Sequence, residues 1–371
     1  MKRQNNLFSK LISDNNLRLA IEEVNRTHRW NHYPDKPNKK VLWIESTIDE
    51  RVKELRSIIE NGFTPSPVKK KRRYDRNAKK WRDICEPALW PDQYIHHALI
   101  KIIEPVMMNH MDRFCCGSIK GRGAHYGIKY LKKWMLNKRS THYCLELDIR
   151  HFYDSLEPQI VLKRMKELIK DYRTLDLIER VTSSGIMIGF YTSQWFANTV
   201  LQPLDRIIRE NKSTHYIRYI DNFIIFSNRK KTLRRILKII KKWLNNHGLN
   251  VKGNWQIFST DYRLPNALGY KYGHGYTLIR KHIILSIRRE IKRMLKLLAN
   301  NKIIPLKLAY GILSRLGMLR HCNSTKIYAK YVPHKLQKQL KNIIRCHQRE
   351  IRYTWNTYLA QYAKTASSMT I

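Results

Sequence analysis

The sequence predicts an α+β chain in which long amphipathic helices are interleaved with a few short, separated strands. Three observations carry this reading. Apolar residues recur at helical spacing in long windows, as Leu233, Ile236, Leu237, Ile240 and Leu244 do over residues 232–247. Leu145, Leu147 and Ile149 alternate with polar neighbours as a half-buried strand does. The run from Tyr216 to Ser227 has two β-prone arms flanking a polar tip, Asp221-Asn222. Asp and Asn tolerate the positive φ that tight hairpin turns demand, so this run predicts a hairpin.

The remaining elements follow in order. Residues 9–60 are mostly helical in pattern. Lys69-Lys70-Lys71-Arg72-Arg73 follows Pro65 and Pro67 and predicts a basic loop. Residues 93–111 form an apolar-rich helix, and His96-His97 within it is expected to be structural rather than metal-binding. Residues 158–170 carry Val161, Met165 and Leu168 at helical spacing, with Pro158 near the start, where its missing N–H is harmless. Residues 286–299 repeat the pattern with Ile287, Ile291, Met294 and Leu298.

Composition bounds the function. The chain has 371 residues, 43% of them hydrophobic, which is enough for a packed core and too many for a disordered chain. Its length predicts two or three lobes. No apolar run reaches the ~18 residues of a membrane span, and residues 1–8 hold no signal-peptide core. Neither an integral membrane nor a secreted protein is expected. The six cysteines include no Cys-x-x-Cys pair, which predicts thiols filling core space in a reducing cytoplasm. Seventy-two Lys and Arg against 29 Asp and Glu give a net charge of +43. Such a chain attracts polyanions, and nucleic acid is the leading partner. A membrane surface fits less well, because the charge is spread along the whole chain rather than along one amphipathic stripe.

The chemistry is expected on the strands. Asp148 ends a strand in Leu-Asp-Ile-Arg-His-Phe-Tyr-Asp-Ser, just before a helix, and Asp221 sits at the hairpin tip. Each is unremarkable alone. Together, two carboxylates on adjacent strands fit a pair of Mg²⁺ ions ~3.5–4 Å apart and in-line phosphoryl transfer.

These segments resemble the ordered blocks of reverse transcriptases. Residues 147–156 look like the first palm block, and Arg218-Tyr-Ile-Asp-Asn-Phe223 like the Tyr-x-Asp-Asp block. Between them, Gly185-Ile-Met-Ile-Gly-Phe-Tyr-Thr-Ser-Gln-Trp-Phe-Ala-Asn-Thr-Val-Leu-Gln-Pro-Leu-Asp205 is similar to the central block, with its Ser-Gln and Ala-Asn pairs. Gly248-Leu-Asn-Val-Lys-Gly-Asn-Trp-Gln-Ile-Phe258 and Ala267-Leu-Gly-Tyr270 follow downstream, and Lys80-Trp-Arg82-Asp-Ile84 resembles the fingers block upstream. The resemblance spans residues 15–330 and implies a right-hand polymerase fold, with fingers, a palm built on a small antiparallel sheet, and a helical thumb. The implied divisions are an N-terminal helical and basic segment at 1–75, fingers at 76–142, palm at 143–275 (with 158–190 partly in the fingers), and thumb and tail at 276–371.

The resemblance also implies roles. Asp148, with the Ile149 carbonyl, and Asp221 hold two Mg²⁺ ions, or Mn²⁺ in their place, and Asn222 stands beside them. Lys80 and Arg82 grip the triphosphate of a dNTP, Arg by its fork and Lys as a point charge. Tyr153 is the steric gate against a 2′-hydroxyl. Gly189 and Gln194 line the nascent pair, and Leu268, Gly269 and Tyr270 grip the primer. Lys69, Lys70, Lys71, Arg72, Arg73 and Arg122, the last between Gly121 and Gly123, are expected to contact template or RNA. The implied activity is RNA-directed DNA synthesis, and the partners are RNA, DNA product and dNTPs.

Trp255-Gln-Ile-Phe, Leu278-Ile-Arg-Lys281 and Gly317-Met-Leu-Arg-His-Cys-Asn-Ser324 look like diversity-generating-retroelement enzymes and bacterial antiphage reverse transcriptases. That implies a bacterial cytoplasm, phage defence with a structured non-coding RNA, and a second reverse transcriptase, an accessory protein or a second copy as further partners. Diversity generation is the alternative. One departure stands out: the family has two Asp where this chain has Asp221-Asn222, so the site loses one negative charge. That suggests a specialised enzyme making repetitive or poorly templated DNA, or an impaired polymerase fold retained as an RNA-binding scaffold. In the fingers, Asp92-Gln93 replaces the common Asp-Arg.

Overall fold

The computed structural model describes residues 3–30, 37–75, 80–211, 214–333 and 335–368; the side chains of Asp75, Lys80, Arg352 and residues 363–368 fall outside that description. Helices form where the apolar spacing lies. At the N-terminus these are α1 (Phe8–Leu11), α2 (Asp14–His28), α3 (Lys39–Ser46) and α4 (Ile48–Glu60). The Ser13 hydroxyl accepts the Asn16 N–H and caps α2. Leu17, Ile21 and Val24 of α2 and Val52, Leu55 and Ile59 of α4 form their buried stripes.

β1 (Lys69–Asp75) and β2 (Lys80–Glu86) pair as an antiparallel hairpin. Lys69 to Arg73 therefore form a strand, not the expected basic loop. Cross-strand partners offset the like charges: Glu86 pairs with both Lys71 and Arg73, and the Arg72 guanidinium lies over the Trp81 ring. The hairpin also spans residue 75, so a division drawn there runs through one paired unit.

Next come α5 (Tyr94–Met108), α6 (Ala124–Met135), β3 (Tyr143–Asp148), α7 (Phe152–Ser155), α8 (Pro158–Leu168), α9 (Tyr172–Thr182), α10 (Tyr191–Val200) and α11 (Gln202–Glu210). The hairpin β4 (Thr214–Tyr219) and β5 (Asn222–Ser227) leads into α12 (Lys230–Asn245). β6 (Gln256–Ser259), β7 (Asn266–Ala267), β8 (Tyr270–Gly273) and β9 (Tyr276–Ile279) precede the last helices, α13 (Lys281–Ala299), α14 (Leu306–Leu319), α15 (Thr325–Tyr331) and α16 (Leu336–Ser368).

The central sheet is antiparallel and four-stranded, in the order β4-β5-β3-β6. Strand alternation feeds two cores. Leu145, Leu147, Tyr216, Phe223 and Ile225 pack into a core shared with the N-terminal helices, α5 and α8–α12. Cys144, Ile217, Ile224 and Phe226 pack into a second core with α6, α13 and α14. The same parity puts Glu146, Asp148, Tyr219 and Asn222 on the second face, where that core gives way to a cleft.

α16 runs back from the second core, where Leu340 is buried, to the N-terminal helices. There Trp355 packs on Val41 and Leu42, and its Nε1–H donates to Glu45 Oε2 at 2.9 Å. Among the described residues no helix is long and apolar enough to cross a membrane.

His96 is buried inside α5, and burial holds its imidazole down to about 3 from an ordinary 6.5, so it is neutral. That matches its expected structural role. The unfolded chain takes up this proton first, so the stability contribution is complete above pH 6.5 and is lost as pH falls toward about 3. Replacing the titrating ring by His96→Phe should flatten this loss. Denaturant midpoints at pH 7.5 and pH 5 test it: the wild type should lose more than the variant, and equal losses would show that His96 is not the group responsible.

Candidate active site

The site is built at the tip of the β4–β5 hairpin. β3 pairs with β5 so that Asp148 faces Asn222, and β4 pairs with β5 so that Tyr219 faces Asn222. The Ile149 N–H donates to the Asp221 carbonyl at 3.1 Å, tying the end of β3 to the tip. Asp148 and Asp221 are thereby brought together, as the sequence predicts. The turn differs from expectation. Its two central residues are Ile220 and Asp221, and Asn222 already belongs to β5. The positive φ falls on Ile220, at +58°. A β-branched residue is strained there, and such strain persists only where the surroundings over-determine it.

Those surroundings are explicit. Arg218 is fully buried and its Nη1 donates to the Ile220 carbonyl at 2.9 Å. The same guanidinium grips both carboxylate oxygens of Asp205, at 2.7 and 2.6 Å, and the Asn198 side-chain oxygen at 2.8 Å. Burial opposes the Arg218 charge, and Asp205 outweighs it, raising the guanidinium above its ordinary range. Asn198 in turn donates to the Gly117 carbonyl at 2.9 Å. Gly117 is where the chain crosses the tip: a Cβ there would lie 2.4 Å from Ile220 Cγ1 and 2.7 Å from its backbone nitrogen. The segment is held by the Cys116 N–H on the Arg218 carbonyl and the Arg218 N–H on the Phe114 carbonyl. Arg218, Asp205, Asn198 and Gly117 were not expected as site residues. The sequence signal was present, since Asn198 and Asp205 lie in the central block and Arg218 opens the hairpin block.

The other expected residues divide. Tyr153, on α7, is largely buried, and burial with Asp221 nearby pushes its phenol well above the ordinary range, so it stays protonated. Gln194 is exposed on α10, whose other residues are buried or half-buried. Lys252 reaches to 3.9 Å from Asp148 Oδ2, and its N–H donates to the Asp148 carbonyl at 2.8 Å. The Asn222 amide donates to Asp221 Oδ1 at 2.9 Å. Gly189, with φ of +114°, makes its close approach to the chain itself: a Cβ would lie 2.2 Å from the Cys85 carbonyl oxygen. With the Cys85 N–H on the Ile188 carbonyl, this contact docks β2 and sets where Arg82 stands. Lys80 is placed at the start of β2, and its side chain lies outside the described ones. Arg122 donates to the Asp112 carbonyl at 2.9 Å and so braces its own loop.

Of the three residues expected at the primer, Leu268 and Gly269 form the β7–β8 turn, both with positive φ, and line the cleft. Tyr270 turns away into the second core, where its hydroxyl donates to the Met318 carbonyl at 2.8 Å and burial pushes it up to about 12. Asp92, beside the expected missing cation, accepts both the backbone and hydroxyl protons of Ser66.

The cleft has a volume of about 980 Å³ and runs from Tyr219 and Asn222 to α13 and α14. Arg280, Arg289, Arg293 and Arg315 line it, with Glu290 the acidic lining residue. One carboxylate at the end of β3 and another in the turn tied to it, beside a neutral amide, form an oxygen donor set that suits Mg²⁺, which takes one or two carboxylates and leaves the remaining positions to water and phosphate. Among the described residues no group of three or more His, Cys, Asp or Glu side chains is placed to hold a metal ion.

Residues 68–270 match the family described as reverse transcriptase (RNA-dependent DNA polymerase). The chain belongs to the reverse transcriptase family. The four-stranded sheet is the palm of that family's right-hand α+β fold. No curated protein matches the chain. Among solved structures, apo telomerase from Candida tropicalis is similar at 12% identity and TM-score 0.47, covering 88% of this chain and 70% of that one. Telomerase from Candida albicans with a TWJ fragment of telomeric RNA is similar at 13% and 0.45, and a truncated Candida tropicalis telomerase at 16% and 0.42. The reverse transcriptase chain spans 62% and 59% of the length of these last two.

Removing one partner of the buried pair isolates a charge. Arg218→Met should cost about 3–5 kcal/mol, because the Asp205 charge is left buried with no cation and only the Tyr216 hydroxyl donating to it. Denaturant unfolding checks this, and a loss under about 1 kcal/mol would show that the pair is solvated rather than buried.

Proposed function

We propose that the chain is an RNA-directed DNA polymerase that extends a DNA 3′ end with dNTPs. One observation carries it: the end of β3 at Asp148 is tied to the hairpin turn at Asp221, and Asn222, which pairs with Asp148, lines the arginine-lined cleft. Two Mg²⁺ ions held by Asp148, Asp221 and the Ile149 carbonyl would polarise the attacking 3′-hydroxyl and neutralise the triphosphate. The chain's own residues position the reactants. Arg82, with Lys80, holds the outer phosphates. The Tyr153 ring closes the space a 2′-hydroxyl would need, and its phenol remains neutral next to Asp221. Gln194 presents its amide from α10 to the nascent pair. Leu268 and Gly269 support the primer end, and Arg280, Arg289 and Arg293 stand along the cleft where a duplex backbone would run. Asn222 donates to Asp221 Oδ1 and so occupies one lone pair that a second carboxylate would leave to cations.

The finer reading is a bacterial cytoplasmic enzyme acting in antiphage defence with a structured non-coding RNA, able to make repetitive DNA and to work beside a second reverse transcriptase. It rests on the resemblance of residues 255–258, 278–281 and 317–324. Asn222 supports one competing reading, an RNA-binding scaffold on an impaired polymerase fold.

DNA synthesis by the purified chain with its co-purifying RNA, with each dNTP alone or mixed, separates them. Asp148→Ala should abolish synthesis and leave RNA binding intact. No product from the wild type in Mg²⁺ or Mn²⁺, with RNA still bound, would favour the scaffold. Asn222→Asp should raise synthesis in Mg²⁺ relative to Mn²⁺ by restoring a charge; an unchanged ratio would show that the amide does not set ion preference. The sequence of the product distinguishes templated from repetitive DNA.

A further inference from the structure

The β1–β2 hairpin carries chemistry that the catalytic assignment leaves unused. Its register sets Tyr74 opposite Trp81 and Arg72 opposite Asp83. Side chains alternate along a strand, so these four share one face, and Arg82 and Ile84 take the other. Ile84 packs on Gly189, which turns its face toward the body of the molecule. The face of Trp81 therefore looks outward. On it the Tyr74 and Trp81 rings meet edge to face at 5.3 Å, and the Arg72 guanidinium lies 5.5 Å above the Trp81 ring. The rings remain 48% and 57% exposed.

A cross-strand aromatic pair steadies a hairpin by only about 0.2–1 kcal/mol, which β-branched residues supply without leaving so much ring surface in water. Exposed rings flanked by cations are instead the chemistry that holds unpaired bases: the π-faces stack and the cations meet phosphate. Lys70 and Arg72 share this face by the same alternation, and the net charge of +43 favours a polyanion over an acidic or neutral protein surface.

We propose that this outer face is a stacking platform for unpaired bases of the template RNA. The identity of the strand as template rests on the polymerase reading. Trp81 supplies the principal face, Tyr74 holds it upright, and Arg72 and Lys70 meet the backbone. The platform binds single strands without base preference and passes over paired segments, whose faces are already stacked.

The test is equilibrium binding of the full chain, without dNTPs or divalent metal, to fluorescein-labelled oligouridylate, oligothymidylate and a blunt RNA hairpin. Trp81→Ala should weaken oligouridylate binding about tenfold, the loss of one stacked base. Trp81→Phe should restore most of it, and the blunt hairpin should bind Trp81→Ala as tightly as wild type. Melting of each variant confirms the fold. Unchanged oligouridylate binding in both Trp81→Ala and Tyr74→Ala overturns the proposal, as does equal weakening for strand and hairpin. A loss confined to oligothymidylate overturns the assignment to RNA. If the Trp81 effect is present in a chain that makes no DNA, the platform stands and the polymerase reading falls; an active polymerase without the Trp81 effect gives the reverse.

Discussion

A buried ion pair, Arg218 on Asp205, is the interaction on which the tip of the β4–β5 hairpin depends. Both side chains are withdrawn from water, and each of their charges would be intolerable there alone. Their mutual contact is bidentate, with the two carboxylate oxygens at 2.7 and 2.6 Å, and the remaining guanidinium protons go to Asn198 and the Ile220 carbonyl. A buried pair is weak support for stability as such, because desolvation offsets the Coulombic gain. Its value here is positional. The fork geometry fixes the Ile220 carbonyl, and with it the strained turn that puts Asp221 beside Asp148.

The palm sheet explains why that position can be held. Its two faces feed different cores, one against the N-terminal helices and one against α6, α13 and α14. Close packing on both sides leaves the strands little freedom. Glu146, Asp148, Tyr219 and Asn222 share the second face, and Tyr219 and Asn222 stand where that core opens into the cleft. Gly117 and Gly189 work at the margins of this arrangement. One lets a neighbouring segment cross the tip, and the other lets the β1–β2 hairpin dock against the loop before α10.

Much of this was legible in the sequence wherever the signal is local. Apolar spacing located α5, α8, α12 and α13, and alternation located β3. Asp148 and Asp221 were visible because a carboxylate at a strand end and another at a hairpin tip need few other residues to make sense. What failed was decided by distant partners. Asn222 and Asp221 are better suited to positive φ than isoleucine, but Arg218 and Gly117 place that conformation on Ile220. Five consecutive cations read as a loop until Glu86 and Trp81 are brought across from the paired strand. Arg218 has no local partner in the sequence, and its role emerges when the fold delivers Asp205 to it. Tyr270 reads as a primer contact until Met318 of α14 is found to take its hydroxyl.

The central claim is that the Arg218–Asp205 pair serves position rather than stability. The most direct measurement is DNA synthesis by the variant Arg218→Met with Asp205→Leu and Tyr216→Phe, the last because the buried Tyr216 hydroxyl would otherwise lose its acceptor. An apolar pair of similar volume replaces a buried ion pair at little cost or with a gain, so the fold should melt near the wild-type temperature. Synthesis should nonetheless fall about a hundredfold, as expected when a carboxylate shifts by about 1 Å. A folded triple variant that synthesises DNA at the wild-type rate would contradict the account.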